Sequence, residues 1–277
     1  MPHIEVCPLT LDKGYEIMEC ATLFSGSSGN CIYVGTESTK VLVDAGHSGK
    51  RIVQALSELH IDIKEIQALL VTHEHIDHIK GLGVLSRRYH IPIYASPKTW
   101  TELACIGEVD EQNKREYDYG MEIGDLKLEF FKTCHDAVQP VGIAFFHQDG
   151  EIGIATDTGC VTAGMKKVLA GANALIFEAN HDEQMLKNGP YPYPLKKRIA
   201  GDRGHLSNRT AGEALTELIT GDTRQVVLAH LSEVNNTPQI AFNSVAETLR
   251  ETGILDAVDL TVAPRYAAHP LIKIKRL

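Results

Sequence analysis

The stretch His73-Glu74-His75-Ile76-Asp77-His78 places four candidate metal ligands within six positions, directly after the apolar run Ala68-Leu69-Leu70-Val71. Imidazole and carboxylate donors in one set suit zinc, manganese or iron. Side chains two apart point the same way from an extended segment, so His73 and His75 can serve one ion. Asp77 and His78 lie on the turn beyond and are offset enough to serve a second. A surface loop can carry one histidine by chance; His-x-His-x-Asp-His asks for a chemical reason. By the same standard His3, His47, His60, His90, His147 and His269 stand alone and read as surface or structural residues. His181 is intermediate, because it follows Glu178 and Asn180.

Such a cluster needs strands that end together. From Cys20 the chain reads as strand, Gly/Ser turn and strand (CATLFSGSSGNCIYVG), followed by KVLVDAG. Apolar β-branched runs separated by Gly, Ser and Asn are hairpin chemistry. Ile52, Val53, Leu56 and Leu59 have helical spacing. ALLVTHEH predicts a buried strand ending in the histidine cluster, a helix follows through Gly81 to Tyr89, and IPIYAS is another strand. Asp125 to Phe131, Gly142 to His147 and Glu151 to Ala155 predict paired strands. Later strands end in polar residues: GIATDTG in Asp157, ALIFEAN in Glu178 and QVVLAHLS in His230. Helices are predicted over Lys166 to Ala170, Ala211 to Ile219 and Ala241 to Glu251, and DLTVA as an edge strand. No low-complexity linker interrupts this rhythm, which predicts one domain over residues 1–277 built from two β-rich halves covered by helices.

Composition sets few further limits. With 43% hydrophobic and 23% charged residues the chain reads as soluble and globular. No window approaches the roughly 18 apolar residues of a membrane span. Met1 to Thr10 lacks a basic region followed by an apolar one, so no signal peptide is expected. Cys7, Cys20, Cys31, Cys105, Cys134 and Cys160 contain no Cys-x-x-Cys pair and read as reduced thiols of a cytoplasmic protein. A net charge of −9 argues mildly against a nucleic-acid partner. The argument is weak, because acids held against cations do not repel phosphate and because Lys196-Lys197-Arg198, Arg203, Arg209 and Arg87-Arg88 form basic clusters.

His-x-His-x-Asp-His after a buried strand resembles the signature of the metallo-β-lactamase superfamily. The resemblance continues in order through His135 in KTCHDA, Asp157 in IATDTG and His230 in VLAHLS. It implies a four-layer αββα sandwich of the α/β (α+β) class. It also implies two divalent metal ions (Zn, Mn or Fe), one held by His73, His75 and His135 and the other by Asp77, His78 and His230, with Asp157 and a hydroxide bridging them.

Further residues narrow the chemistry. Ala174 to His181 is similar to the His-Glu-Ala-Thr segment of ribonuclease Z, although Phe177 stands where that family has its first histidine. Gly204-His205-Leu206-Ser207-Asn208 is similar to its Gly-His-Ser-Thr segment, which implies that His205 protonates the leaving group with support from Glu178. FSGSSGNC, THEHIDHIKGLG, FEANHD, GHLSN and HLSEVNNTP together resemble the YycJ (WalJ)-like metallohydrolases, from about Cys20 to the last strand. That group implies a 5′-to-3′ DNA exonuclease, with nucleic acid as partner and DNA favoured over RNA. On this reading Asp77, His205 and Glu178 are catalytic, and Ser27, Asn30, Asn180, His181, Arg198 and Ser207 are candidate substrate contacts. The alternative is a small-molecule metallohydrolase: a thioesterase, lactonase or cyclic phosphodiesterase. Thioesterase and lactonase relatives typically carry Pro-Gly-His-Thr at the third ligand, where this chain has Cys134-His135-Asp136-Ala137.

Overall fold

The structure, a computed structural model, describes residues 17–275. The expectations for His3, Cys7 and the Met1–Thr10 segment lie outside the described residues. The chain first lays down β1 (Met18–Phe24), β2 (Cys31–Gly35), β3 (Lys40–Val43), β4 (Ala68–Leu70), β5 (Ile93–Ala95) and β6 (Lys114–Glu116). It then forms β7 (Gly120–Ile123), β8 (Leu126–Lys132), β9 (Val141–His147), β10 (Gly150–Ala155), β11 (Ala174–Glu178), β12 (Gln225–Ala229), β13 (Asp259–Val262) and β14 (Ile272–Ile274). One sheet has the order β14-β1-β2-β3-β4-β5-β6 and the other β13-β12-β11-β10-β9-β8-β7.

Both sheets begin as antiparallel meanders and continue in parallel, from β3 to β6 and from β10 to β13. Parallel strands send their carboxyl ends to one edge, where α/β folds bind ligands. Asp44, His73, Asp157, Glu178 and His230 all lie at or just past such ends.

The inner faces meet in a dry core that includes Val41, Val43, Leu70, Ile143, Phe145, Ile152, Ile154 and Val227. Alternation along a strand sends the neighbouring side chains outward, under helices. Leu42 and Leu69 meet Ile52, Leu56 and Leu85, while Leu175 and Leu228 meet Leu169, Leu215, Val245 and Leu249. The result is the αββα sandwich. Each such side chain contributes about 1.5–3 kcal/mol of burial.

The helix Gly49–Glu58 turns Ile52, Ala55 and Leu56 inward, as its spacing predicts. Asn208–Leu218 starts at Ser207, whose Oγ accepts from Thr210 N at 3.2 Å. DLTVA is indeed an edge strand, β13. Two expectations are corrected. ALLVTHEH is a strand only over Ala68–Leu70, because Asp44, not a neighbouring strand, takes the Thr72 N–H at 2.9 Å. The polar ends Asp157 and His230 fall just past β10 and β12. The helix expected after the histidine cluster is present as Leu82–Tyr89, with Gly81 at its N-cap, and a further one-turn helix, Ile76–Ile79, lies within the cluster and carries Asp77 and His78; between the two, Gly81 N–H donates to Ala45 O at 2.7 Å. Among the described residues, no helix is long and apolar enough to cross a membrane.

Candidate metal centre

Three loop backbones are laced together beneath the cluster. Asn30 N–H donates to Asp77 O at 2.8 Å, Gly46 N–H to Asn30 O at 2.7 Å, and Ala45 N–H to His78 O at 2.7 Å. Position 46 must be glycine, since a Cβ there would stand 1.7 Å from Asp77 O and 2.4 Å from Asn30 N. Asp44, Asp157 and His230 have φ of 60°, 56° and 57°. Left-handed backbone at a residue with a side chain is costly and gathers at functional sites. Here it turns each side chain out of its strand end toward the same cleft.

The seven residues singled out from the sequence converge. His73 Nε2 lies 3.2 Å from His75 Nδ1, which lies 3.3 Å from His135 Nε2. On the other side His78 Nε2 is 3.6 Å and His230 Nε2 is 3.7 Å from Asp77 Oδ2. Asp157 stands between the groups, with Oδ2 at 3.2 Å from His78 Nε2 and Oδ1 at 3.3 Å from His230 Nε2 and 3.7 Å from His135 Nε2. His73, His75 and His135 could hold one cation, and Asp77, His78 and His230 another.

The residues fit cations. Asp157 Oδ2 and His230 Nε2 are buried, face the cluster and make no well-aligned hydrogen bond, although ion-pair neighbours stand 3.2 and 3.3 Å away. Such orphans are expensive unless something binds them. Charge points the same way. Burial would strip protons from His78 and His230, but nearby carboxylates outweigh it. Asp157, Asp44 and Asp77 hold His78 well above the ordinary imidazole range, and Asp157, Asp77 and Glu178 raise His230 to about 10. Burial would also raise Asp157, yet His230 and His78 hold it well below the carboxylate range. The burial of His73 and His135 lowers both imidazoles. A cluster that traps protons among carboxylates is one in which a divalent cation can replace them.

A second tier fixes the rings. His78 Nδ1–H donates to Asp44 Oδ2 at 2.7 Å, and Asp44 also accepts Thr72 N–H and, at 2.7 Å, its hydroxyl. His135 Nδ1–H donates to Gly204 O at 3.1 Å. Buried Glu178 accepts from His205 Nδ1 at 2.7 Å and His230 Nδ1 at 3.1 Å through Oε1, and from Thr158 N–H at 2.9 Å and Leu206 N–H at 3.3 Å through Oε2. The sequence reading missed Asp44, although VLVDAG is another apolar strand ending in a carboxylate. It also missed the Glu178–His230 contact, which links a leaving-group histidine to a cluster residue.

The candidate substrate contacts divide. Asn30 is buried, with Oδ1 accepting Gly26 N–H at 2.8 Å and Nδ2 directed at Asp77 and His78. Asn180 Nδ2 donates to His230 O at 2.8 Å, and Ser207 caps a helix. His181 is buried, which lowers its imidazole to about 4. Ser27 is exposed in the β1–β2 turn. Arg198 is exposed and paired with Asp136 at 2.5 Å. Of the lone histidines, His47 packs on Phe24, His60 and His90 turn left-handed corners, His147 pairs with Asp125 and Asp149, and His269 donates to or accepts from Thr261 at 3.1 Å. Cys20, Cys31, Cys105, Cys134 and Cys160 are free thiols.

A two-sheet sandwich with helices outside and a histidine–aspartate cluster at one sheet edge defines a class of metallohydrolases, and sequence agrees: residues 39–231 match the Beta-lactamase superfamily domain. The chain belongs to the metallo-β-lactamase superfamily and, within it, to the YycJ/WalJ family. It is 44% identical over 236 residues to Exodeoxyribonuclease YycJ of Bacillus anthracis, covering 84% of this chain and 89% of that protein. It is 39% identical over 245 residues to Exodeoxyribonuclease WalJ of Streptococcus pneumoniae, covering 87% and 91%. In structure it is similar to the metallo-β-lactamase fold protein YhfI of Bacillus subtilis, with a TM-score of 0.69 at 14% identity over 91% of this chain and 99% of that one. Membership implies divalent metal ions.

Proposed function

We propose that this chain is a phosphodiesterase holding two divalent ions, and that it degrades DNA from an end. The observation that carries the reading is the Glu178–His205 pair. His205 is not one of the six residues that would hold the two ions, though it gathers with Asp157, Glu178 and His230, and its ring stands 5.0 Å from that of His135 and 5.2 Å from that of His230. The buried Glu178 carboxylate engages Nδ1 and leaves Nε2 as the nitrogen able to serve a substrate. An imidazole held this way by a carboxylate is built for proton transfer. The identities to exodeoxyribonucleases support DNA as substrate.

When bound, the ions would activate water and offset charge building on the phosphate. His73, His75 and His135 would hold one, and Asp77, His78 and His230 the other, with Asp157 reaching both. Asp77 is partly open to solvent and would also orient the attacking water. His205 Nε2–H would protonate the departing oxygen, while Glu178 holds the ring in position through Nδ1–H.

The reading is tested with metal-stripped and metal-reloaded protein on end-labelled single- and double-stranded DNA, RNA, and chromogenic thioester and lactone substrates. DNA hydrolysis should require reloading and weaken with salt, because phosphate contacts release counterions. Turnover of thioester or lactone without cleavage of any nucleic acid would establish a small-molecule hydrolase instead.

A further inference from the structure

Beside His205 lies a pocket of about 200 Å³ lined by Asp136, Tyr191, Leu195, Arg198, Ile199, Gly204 and His205. It is smaller than the ~300–1,000 Å³ typical of drug-sized ligands, so it suits one flat ring system. Its wall is the short helix Tyr193–Ile199, which has no buried residue. Core packing therefore does not account for its apolar side chains, and Leu195 and Ile199 turn into the pocket instead. The same helix carries Lys196, Lys197 and Arg198, with Tyr193 exposed at its start. Near the cluster, Ile76 next to His75 and Val138, whose N–H donates to Glu74 Oε1, are also exposed. Apolar and aromatic surface at a site mouth implies a substrate with apolar faces. Cationic side chains on the same helix imply that this substrate is also anionic.

A nucleotide whose base is unpaired has both properties; in an intact duplex the ring faces are hidden by stacking. Resting on the nuclease reading above, we infer that this pocket receives the base of one unpaired nucleotide at the substrate end. The base stacks on Tyr191 against Leu195, and Arg198, which pairs with Asp136 at the same wall, turns its guanidinium to the adjoining phosphate in exchange. Terminal base pairs must then open before the scissile bond reaches His205. The substrate is thereby selected for ends that are single-stranded or fray readily.

The test uses metal-loaded protein with oligonucleotides that carry 2-aminopurine at one terminus or the other, their ends phosphorothioate-protected for binding and unmodified for kinetics. Binding should quench the fluorophore at one terminus. Tyr191→Ala should abolish that quenching, weaken binding about tenfold or more and raise KM by a like factor, with kcat within about threefold, as expected for a lost base–aromatic contact. Tyr191→Phe should restore both readouts, and Leu195→Ala should weaken quenching without abolishing it. An abasic terminal residue should cost wild type about the same factor and cost Tyr191→Ala nothing further, since the pair then shares one interaction. A blunt GC-rich duplex should be degraded more slowly than one with mismatched terminal pairs. Unchanged quenching and KM in Tyr191→Ala, or an abasic end bound as well as a normal one, would overturn the inference while leaving nuclease activity intact. No binding or cleavage of any nucleic acid by wild type would overturn the nuclease reading itself.

Discussion

Replacing Glu178 with Gln removes one charge from a buried carboxylate that accepts four hydrogen bonds. The amide has one acceptor oxygen and one donor nitrogen, so one side of the network must fail. With the oxygen toward His205 and His230, the NH₂ group faces the Thr158 and Leu206 N–H groups and leaves two buried donors unpaired. Each orphan costs about 1–3 kcal/mol. Linkage leads to a similar figure. Burial opposes ionisation of Glu178, but His205 and His230 outweigh it and lower the carboxyl from 4.5 to about 2, worth on the order of 3 kcal/mol at ~1.4 kcal/mol per unit. At about 2–4 °C per kcal/mol for domains of 150–250 residues, the melting temperature should fall by about 5–12 °C. A depressed acid stabilises above its unfolded value. Wild type should therefore lose this contribution as pH falls from 4.5 toward about 2, and Glu178→Gln should lack that segment of the pH dependence. Because Glu178 also orients His230, metal affinity should drop about 10–100-fold. Thermal unfolding across pH and chelator competition measure these effects. A melting temperature within 2 °C and metal affinity within a factor of ~2 of wild type would refute the assignment of Glu178 as the shared anchor, since both figures fall below the expected ranges.

Other substitutions separate the remaining roles. His205→Ala should retain its metal and its fold while turnover falls about 10²-fold or more, with a smaller loss on a nitrophenyl phosphodiester whose leaving group needs no proton. Equal losses on both substrates would reassign His205 to substrate binding. Asp44→Asn keeps a side chain tolerant of left-handed backbone but weakens the acceptor for His78, so metal affinity should fall about 10–100-fold with little change in overall fold. Unchanged affinity by chelator competition would contradict that role. Gly46→Ala should lower both metal content and melting temperature, because its Cβ cannot coexist with Asp77 O. A variant with full metal content would show that the loops are less tightly laced than described.

Much of the cluster was legible because its residues are tied to periodic signals. Four candidate ligands follow a single apolar strand, and Asp157, Glu178 and His230 each lie at or just past the end of another. Local pattern also located the outer helices that bury every third or fourth residue. It failed where the deciding partner is distant in sequence. Asp44 acts on His78 thirty-four positions away, and the unanticipated turn Ile76–Ile79 is set off from the next helix by Gly81, whose N–H goes to Ala45 O. β6, β7 and β14 are three or four residues long and carry little periodicity. The helix Tyr193–Ile199 buries nothing, so hydrophobic spacing could not announce it. Asn30, Asn180 and Ser207 show how a polar residue near a cluster resembles a substrate contact in sequence while its hydrogen bonds serve the scaffold.

If two strand-end clusters sharing Asp157 form one dinuclear site, an anomalous difference map from crystals grown with a divalent transition metal should show two peaks roughly 3.5–4 Å apart. One should lie among His73, His75 and His135 and the other among Asp77, His78 and His230, with an Asp157 oxygen on each and metal–nitrogen distances of about 2.0–2.1 Å for zinc. A single peak at saturating metal, or ions bound outside these residues, would contradict the dinuclear site.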